Sequence, residues 1–552
     1  MDSTQVEEIL RRVEQALDEK DAALIRAVFQ SYVYVADLVE AKNTSIRRLR
    51  QLFFGARTEK TDAVAGRRTE KPDTAPQSGA AAKTELTAGE PDQDASNEAD
   101  TAPASPGHGR NGADAYRGAE RIDVPHPSLT AGDPCPACGE GTVYEKAPGV
   151  LVRIMGQAPL AAKIYQLQKL RCHLCGQVFT AHAPEAAGSR KYENTAGSMI
   201  GLLKYGSGLP FNRLEGLQGH LEIPLPASTQ WDIVAAVAAN LAPAFAELIR
   251  QAAQGEVLHN DDTTVKILEL MGERGRPEAL ARAEGEEHDA DQRTGLFTSG
   301  VVALRDGHRV ALFFSGRQHA GENLAQVLKL RASELPPPIQ MCDALSRNLP
   351  GELQTVVAHC LAHARRQFVD VYDRFPEQCG YLLEALAVVY RNDASARERQ
   401  LSPEARLQWH QEASGPTMQQ LHAWLTRQLD EKLTEPNSAL GGAIRYMLKH
   451  WEKLTLFLRQ AGAPLDNNLC ERVLKKAILH RKNALFFKTQ NGARVGDLFM
   501  SLIYTCQLNE ANPFDYLTRL QQHTEQLVAN PELWMPWNYR AALTCEPSVP
   551  TT

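Results

Sequence analysis

Beyond Gly255 the apolar residues stop recurring at helical spacing and begin to alternate. "GEVLHNDDTTVKILEL" reads as a strand, and "LFTSGVVALRDGHRVALFFS" as a hairpin turning at Arg305–Asp306–Gly307. "HAGENLAQVLKLRA" returns to a helix, "PPIQMCDAL" is a short buried strand ending in Asp343, and "LQTVVAHC" is another strand. Three strands, a helix, a strand, a short crossover and a last strand make the order of an RNase H-like fold, an α/β mixed sheet with flanking helices. In that topology a carboxylate on the first strand sits beside one at the end of the fourth. Asp261 and Asp343 take those two places. Asp262 is a rival for Asp261, because a one-residue register shift exchanges their faces.

A third acid should come from a helix against the same sheet edge. After Cys360, about a hundred residues read almost wholly as helix, from "LAHARRQFVDVYDRF" to "AIRYMLKHWEKLTLFLRQAG", and look like a helical insertion. Asp466 and two asparagines then make a turn and N-cap, and Glu471 lies one turn into the next helix. Glu471, Lys475, Ile478 and Lys482 share one stripe, and Arg472 and Arg481 lie on the same helix. From Pro464 to Gly496 there are seven Lys/Arg against two acids, in a chain of net charge −7. Any nucleic-acid surface is therefore local. An isolated carboxylate in so basic a helix is either a solvated salt-bridge partner or a metal ligand beside a polyanion. Three carboxylates can hold two magnesium (or manganese) ions for in-line phosphodiester displacement, with the lysines as phosphate clamps. His363, Arg365 and Arg366, after the last strand, either approach the scissile phosphate or serve the insertion structurally. Cys342, Cys360 and Cys470 read as small buried hydrophobes.

Earlier in the chain, Leu17, Leu24, Val28, Val35, Val39, Ile46, Leu49 and Phe53 fit the seam of a coiled coil or a packed amphipathic helix. Residues 61–115 hold no aromatic residue and are rich in Ala, Pro, Gly, Ser and acids, the composition of a disordered linker. "CPACG" (Cys135, Cys138) and "CHLCG" (Cys172, Cys175) have the paired-thiolate spacing of one tetrahedral structural zinc site, against the alternative of a redox pair. "NTAGSMIGLLKYGSGLPFNRLEGLQGHL" gives two short helices, and a longer one capped by Ser228 follows. Two helices joined through "EIPLPAS" make either a helix-turn-helix, with Ser228, Thr229, Gln230 and Trp231 at its exposed start, or a plain hairpin. No apolar run approaches a membrane span, so no membrane partner is expected.

These blocks resemble the transposases of the insertion sequence 66 family, which use a DDE catalytic triad. "HNDDTTV" looks like the family's first motif, usually Asp-Glu-Thr, which favours Asp261 and makes Asp262 the departure. "MCDALSRN" is similar to the block of the second aspartate, "CLAHARRQF" to the Cys-x-x-His-x-Arg-Arg signature, and "DNNLCERVLKKAILHRKNALFF" to the glutamate block. "FFGARTEK", the CxxC pairs, "KYGSGLPFNR" and "WMPWNY" match in order. The acidic segment 272–293 looks longer than the family pattern. The resemblance implies a bacterial cytoplasmic protein that transposes a mobile element, acting on terminal-repeat and target DNA. It implies accessory proteins from the same element; we also expect a homo-oligomer on DNA.

The expected organisation is a helical or coiled-coil segment (1–60), a linker (61–120), a four-cysteine, zinc-ribbon-like module (121–190) and a helical region (191–252). The core follows as 253–375 and 463–510 around the insertion (376–462), with a C-terminal tail (511–552). A nuclease of the same fold that only hydrolyses, or a silent DNA-binding repressor, are the rival functions.

Overall fold

The computed structural model describes residues 127–134, 136, 142–143, 158–171, 178–188, 190–271 and 295–544. Outside them lie the expected heptad segment and linker, the expected zinc ligands Cys135, Cys138, Cys172 and Cys175, and the acidic segment 272–293. The chain divides into residues 71–161 and a unit formed by the rest. In the former, Thr130 closes a turn on the Asp133 carboxylate, and Pro134 bridges antiparallel to Thr142.

The first described elements of the second unit are a small antiparallel pair, β1 (Lys169–Arg171) and β2 (Val178–Thr180). Helix α1 (Asn194–Gly201) runs into a π-helical turn at Leu202–Gly206, and α2 (Phe211–His220) and α3 (Ala227–Ala253) follow. The extended backbone of Pro226 sets the start of α3, so Ser228 sits inside the first turn instead of capping it. Gln230, expected at an exposed helix start, is buried; its amide donates to the Phe211 and Leu225 carbonyls at 3.1 and 2.9 Å, clamping α2 to α3. By length and composition α3 could cross a membrane, against the expectation that no such run exists. Its Val234, Leu241, Ala244 and Leu248 are instead buried within the protein.

The alternating segments form one five-stranded mixed sheet. Its strands are β3 (Val257–Thr264), β4 (Phe297–Arg305), β5 (His308–Gly316), β6 (Ile339–Cys342) and β7 (Val356–His359), in spatial order β5-β4-β3-β6-β7. β3, β4 and β5 are antiparallel, while β6 runs parallel to both β3 and β7. Asp306 and Gly307, both at positive φ, form the two-residue β4–β5 turn, whose twist matches that of the strands. The parallel step to β6 needs a crossover, which α4 (Ala320–Leu328) supplies.

After β7 come α5 (Leu361–Val371), α6 (Pro376–Glu398), α7 (Pro403–Ala413), α8 (Gly415–Asp430), α9 (Ala439–Lys449) and the single turn α10 (Trp451–Leu454). They share a core with the β6–β7 side of the sheet, in which Met341, Ala358, Leu361, Phe368, Leu386, Leu421, Ile444 and Met447 are buried. Burying each large side chain contributes roughly 1.5–3 kcal/mol. The helical run therefore belongs to the same packed body as the sheet.

The chain then returns through α11 (Asn468–Ala484) and α12 (Gln490–Leu508). Edge strand β5 has backbone groups with no strand partner, and α12 satisfies them from side chains four residues apart. Asp497 accepts from Ser315 N (2.7 Å), Ser501 from Phe313 N (3.0 Å), Thr505 from Ala311 N (3.0 Å) and Asn509 from Arg309 N (3.1 Å). The last described elements are α13 (Pro513–Gln522), α14 (Thr524–Ala529) and α15 (Tyr539–Thr544). Trp534 is buried there, stacked on His523 at 5.0 Å, with its carbonyl accepting from Tyr516.

Candidate active site

Alternation along β3 sends neighbouring aspartates to opposite faces. Asp262 points away from α11: its side chain is 2 % exposed, 2.8 Å from His319 Nδ1 and 3.4 Å from Arg347. Asp261 lies on the other face, opposite Gly300 of β4. Helix α11 crosses here, and a Cβ at Gly300 would meet Leu474 at 3.0 Å and Cys470 at 3.4 Å. The missing side chain is what lets α11 approach the strands beside Asp261.

Asp343 follows the last residue of β6. Its Oδ1 accepts from Leu345 N at 3.2 Å and from the Asn348 amide. Asn348 is itself held, because its carbonyl accepts from Asn260 (2.8 Å) and Gln340 (2.7 Å), and Gln340 accepts from Thr355. The loop carrying Asn348 presses on the start of α4, where a Cβ at Gly321 would stand 2.2 Å from the Leu349 carbonyl. A buried polar network thus fixes one oxygen of Asp343.

Glu471 is held by the turn that precedes it. Asn467, expected to cap α11 with its side chain, does not; it reaches across to β3 instead. Its Oδ1 lies 3.1 Å from His259 Nδ1, its Nδ2 donates to the Asn260 carbonyl at 3.1 Å, and its backbone N–H points at Cys360 Sγ at 3.2 Å. Asp466 closes the local turn on Asn468. Glu471 is then presented half-buried, 3.7 Å from His363 Nδ1, a nitrogen that has no hydrogen-bond partner. Ligand atoms of Cys360, His363 and Glu471 all lie within 4.8 Å of one another.

The three acids come together electrostatically. Burial pushes the Asp261 carboxyl up to about 7; the Asp262 N–H pulls it back, and the negative charges of Asp343, Asp262 and Glu471 push it further up. Among the described residues the ligand atoms within 4.8 Å of one another are those of Cys360, His363 and Glu471 and not those of the three acids; by charge and hardness, the oxygens of Asp261, Asp343 and Glu471 suit a divalent cation such as Mg2+. The neighbouring thiols are inert: burial drives Cys342 and Cys360 up to about 12.

The expected phosphate contacts divide. Arg472, Lys475 and Lys482 are exposed along α11, and Arg366 is exposed on α5, whereas Arg365 is buried. Arg481 turns back to the end of β3, bonding Thr263 Oγ1 at 3.2 Å and Thr264 Oγ1 at 2.8 Å. Asn348, which holds Asp343, was not singled out from sequence, nor were His319 and Arg347, which hold Asp262 on the opposite face. Only Asn348 and Arg347 lie near an acid along the chain, a few residues after Asp343.

A family model described as Transposase IS66 family matches residues 192–495, more than half of the chain. Two uncharacterized proteins of Sinorhizobium fredii (strain NBRC 101917 / NGR234) align over long stretches. Protein y4hP is 28% identical over 453 residues, covering 77% of this chain and 75% of its own length. Protein y4qI is 25% identical over 347 residues, covering 62% and 61%. A third, y4jD of the same strain, is 34% identical over 190 residues, 34% of this chain and 36% of its own.

Proposed function

Because the chain belongs to the IS66 transposase family, we propose that it cuts DNA at the ends of a mobile element and joins them to a target, using Asp261, Asp343 and Glu471. One observation carries this reading: Asp261, on the central strand, lies opposite Gly300, over which α11 packs Leu474 and Cys470, the residue before Glu471, and the charges of Asp343 and Glu471 help push its carboxyl up. The strand order β5-β4-β3-β6-β7 supports an RNase H-like core. In that reading Asp261, Asp343 and Glu471 hold magnesium (manganese serving as well). Bound there, the ions would supply activation of an attacking hydroxyl and stabilisation of the leaving 3′ oxygen.

The chain's own groups do the rest. Asn348 and the Leu345 N–H hold one oxygen of Asp343. Asn467 fixes the start of α11, and with it the position of Glu471. Lys475, Lys482 and Arg472 receive backbone phosphates, His363 and Arg366 approach the scissile one, and Arg481 fixes the end of β3. On sequence spacing alone, Cys135, Cys138, Cys172 and Cys175 hold one structural zinc, and metal analysis should find about one zinc per chain. A cytoplasmic location, a homo-oligomer on DNA and accessory proteins of the same element complete the reading.

The deciding experiment incubates the full chain with labelled element-end DNA, magnesium and a target duplex. Joined product supports a transposase. Cleavage with water as the only acceptor means a nuclease, and binding without cleavage means a repressor.

A further inference from the structure

We propose that the turn at Leu485 and Phe486, beyond the C-terminal end of α11, is a wedge that enters a base step of the DNA held at the candidate active site. The inference rests on the DNA-acting reading above.

Leu485 stands at φ 68 and ψ −46, and the Phe486 N–H donates to the Ala484 carbonyl at 2.8 Å. That is a γ-turn of the strained hand, centred on a bulky residue that seldom adopts positive φ. Such conformations persist where the surroundings impose them, and they cluster at functional sites. The surroundings here are firm. The Leu485 N–H donates to the Arg481 carbonyl (2.8 Å), and Phe487 pairs with the segment after β3, donating to Lys266 O (2.8 Å) and accepting from Leu268 N (2.9 Å). The Phe487 ring stacks on His480 at 5.1 Å, and Arg481 grips Thr263 and Thr264. Strain held by a rigid frame is being used to project the tip, where Leu485 is 63% exposed and Phe486 44%.

Charge identifies the partner. Among the described residues, Lys266, Lys482 and Lys488 are exposed around the tip, and the exposed acid Glu269 beside them is engaged by Gln490 N at 2.6 Å. An apolar point on a cationic rim suits duplex DNA, whose phosphates meet the ammonium groups while Leu or Phe separates two stacked pairs. A second copy of this chain would bring the same positive rim against itself. At about 1.5 Å per residue, Leu485 lies about 21 Å along α11 from Glu471, roughly six base-pair steps of about 3.4 Å.

The test uses the full chain carrying Glu471→Gln, so that bound DNA stays uncut, on element-end duplexes with 2-aminopurine placed at successive positions. Fluorescence should rise about fivefold at one or two steps, roughly six pairs from the cleavage position, and fall to the free-duplex level when Phe486→Ala or Leu485→Gly is added. DNA affinity should change less than about fivefold. Leu485→Gly relaxes the strained φ, so its melting temperature should rise, which separates loss of the wedge from misfolding. Binding with no fluorescence rise, or an equal rise in the tip variants, overturns the wedge and leaves the DNA reading standing. Failure of the Glu471→Gln chain to bind element ends at all overturns the DNA reading itself. A drop in mass by light scattering for Phe486→Ala, with fluorescence unchanged, assigns the tip to a second copy and overturns the proposal.

Discussion

Two aspartates in this molecule are held near the same pKa for different reasons. Asp497, beside the β5 edge, is raised to about 7 by burial, against two short hydrogen bonds from Ser315 N and Oγ, each 2.7 Å. Asp261, on the central strand, is raised to about 7 by burial too, but its surroundings add the charges of Asp343 and Glu471. The neighbours of Asp497 donate to it; Asp261 has one donor, the Asp262 N–H at 2.8 Å, among carboxylates that repel it. A buried carboxyl with donors is part of a scaffold, whereas one among other carboxylates marks a candidate functional site.

The largest effect that would break this contrast is on strand cleavage. Glu471→Gln, Asp343→Asn and Asp261→Asn should each lower the single-turnover rate at least about a thousandfold while DNA binding persists, since a neutral amide is a poor ligand for magnesium. Asp262→Asn should keep its rate within about tenfold but lose on the order of 1–3 kcal/mol in denaturant titration, because His319 and Arg347 lose a buried anionic partner. Near wild-type cleavage by Glu471→Gln would make that glutamate a solvated salt-bridge partner.

The second test concerns Asp497. Its folded pKa is raised above the ordinary 3.8, so the folded state holds a proton that the unfolded chain releases between about pH 4 and 7. Stability from this group is therefore highest below pH 4, falls as pH rises, and is fully lost above about 7. Asp497→Asn should remove that slope and gain at most about 4 kcal/mol on wild type at pH 8, while cleavage stays unchanged. An unaltered stability–pH profile would end the scaffold half of the comparison. The smallest effect belongs to Lys475→Ala, which should weaken DNA binding a few-fold and reduce the salt slope by about one, with little loss of rate at saturating DNA.

The strands were legible because period-two alternation survives in Val-, Phe- and Leu-rich runs, and the β4–β5 turn because Asp-Gly accepts positive φ. Asp343 and Glu471 could be singled out from their place at a strand end and in a basic helix. Choosing Asp261 over Asp262 was not possible from alternation alone; the choice depends on His319 and Arg347, which arrive from α4's start and the loop after β6. Asn467 misled for a related reason. An asparagine before a helix usually serves that helix, but this one serves β3 through His259, far away in sequence. Gln230 favours the plain hairpin for a similar reason, since its partner Phe211 O lies on the preceding helix. Local chemistry could be read ahead of the structure, but tertiary pairing could not.

The row of hydrogen bonds between α12 and β5 has a consequence for how the sheet finds its alignment. Four helical residues advance about 6.0 Å and two strand residues about 6.8 Å, so the two scales disagree by about 0.8 Å at every step. They behave like a vernier, in phase over a short span and out of phase beyond it. Residues 497, 501, 505 and 509 meet 315, 313, 311 and 309, and that span is the whole of the match. Sliding β5 by one residue would also turn its core-facing side chains to the other face of the sheet. The edge of the sheet thus carries its own ruler, and α12 reads it.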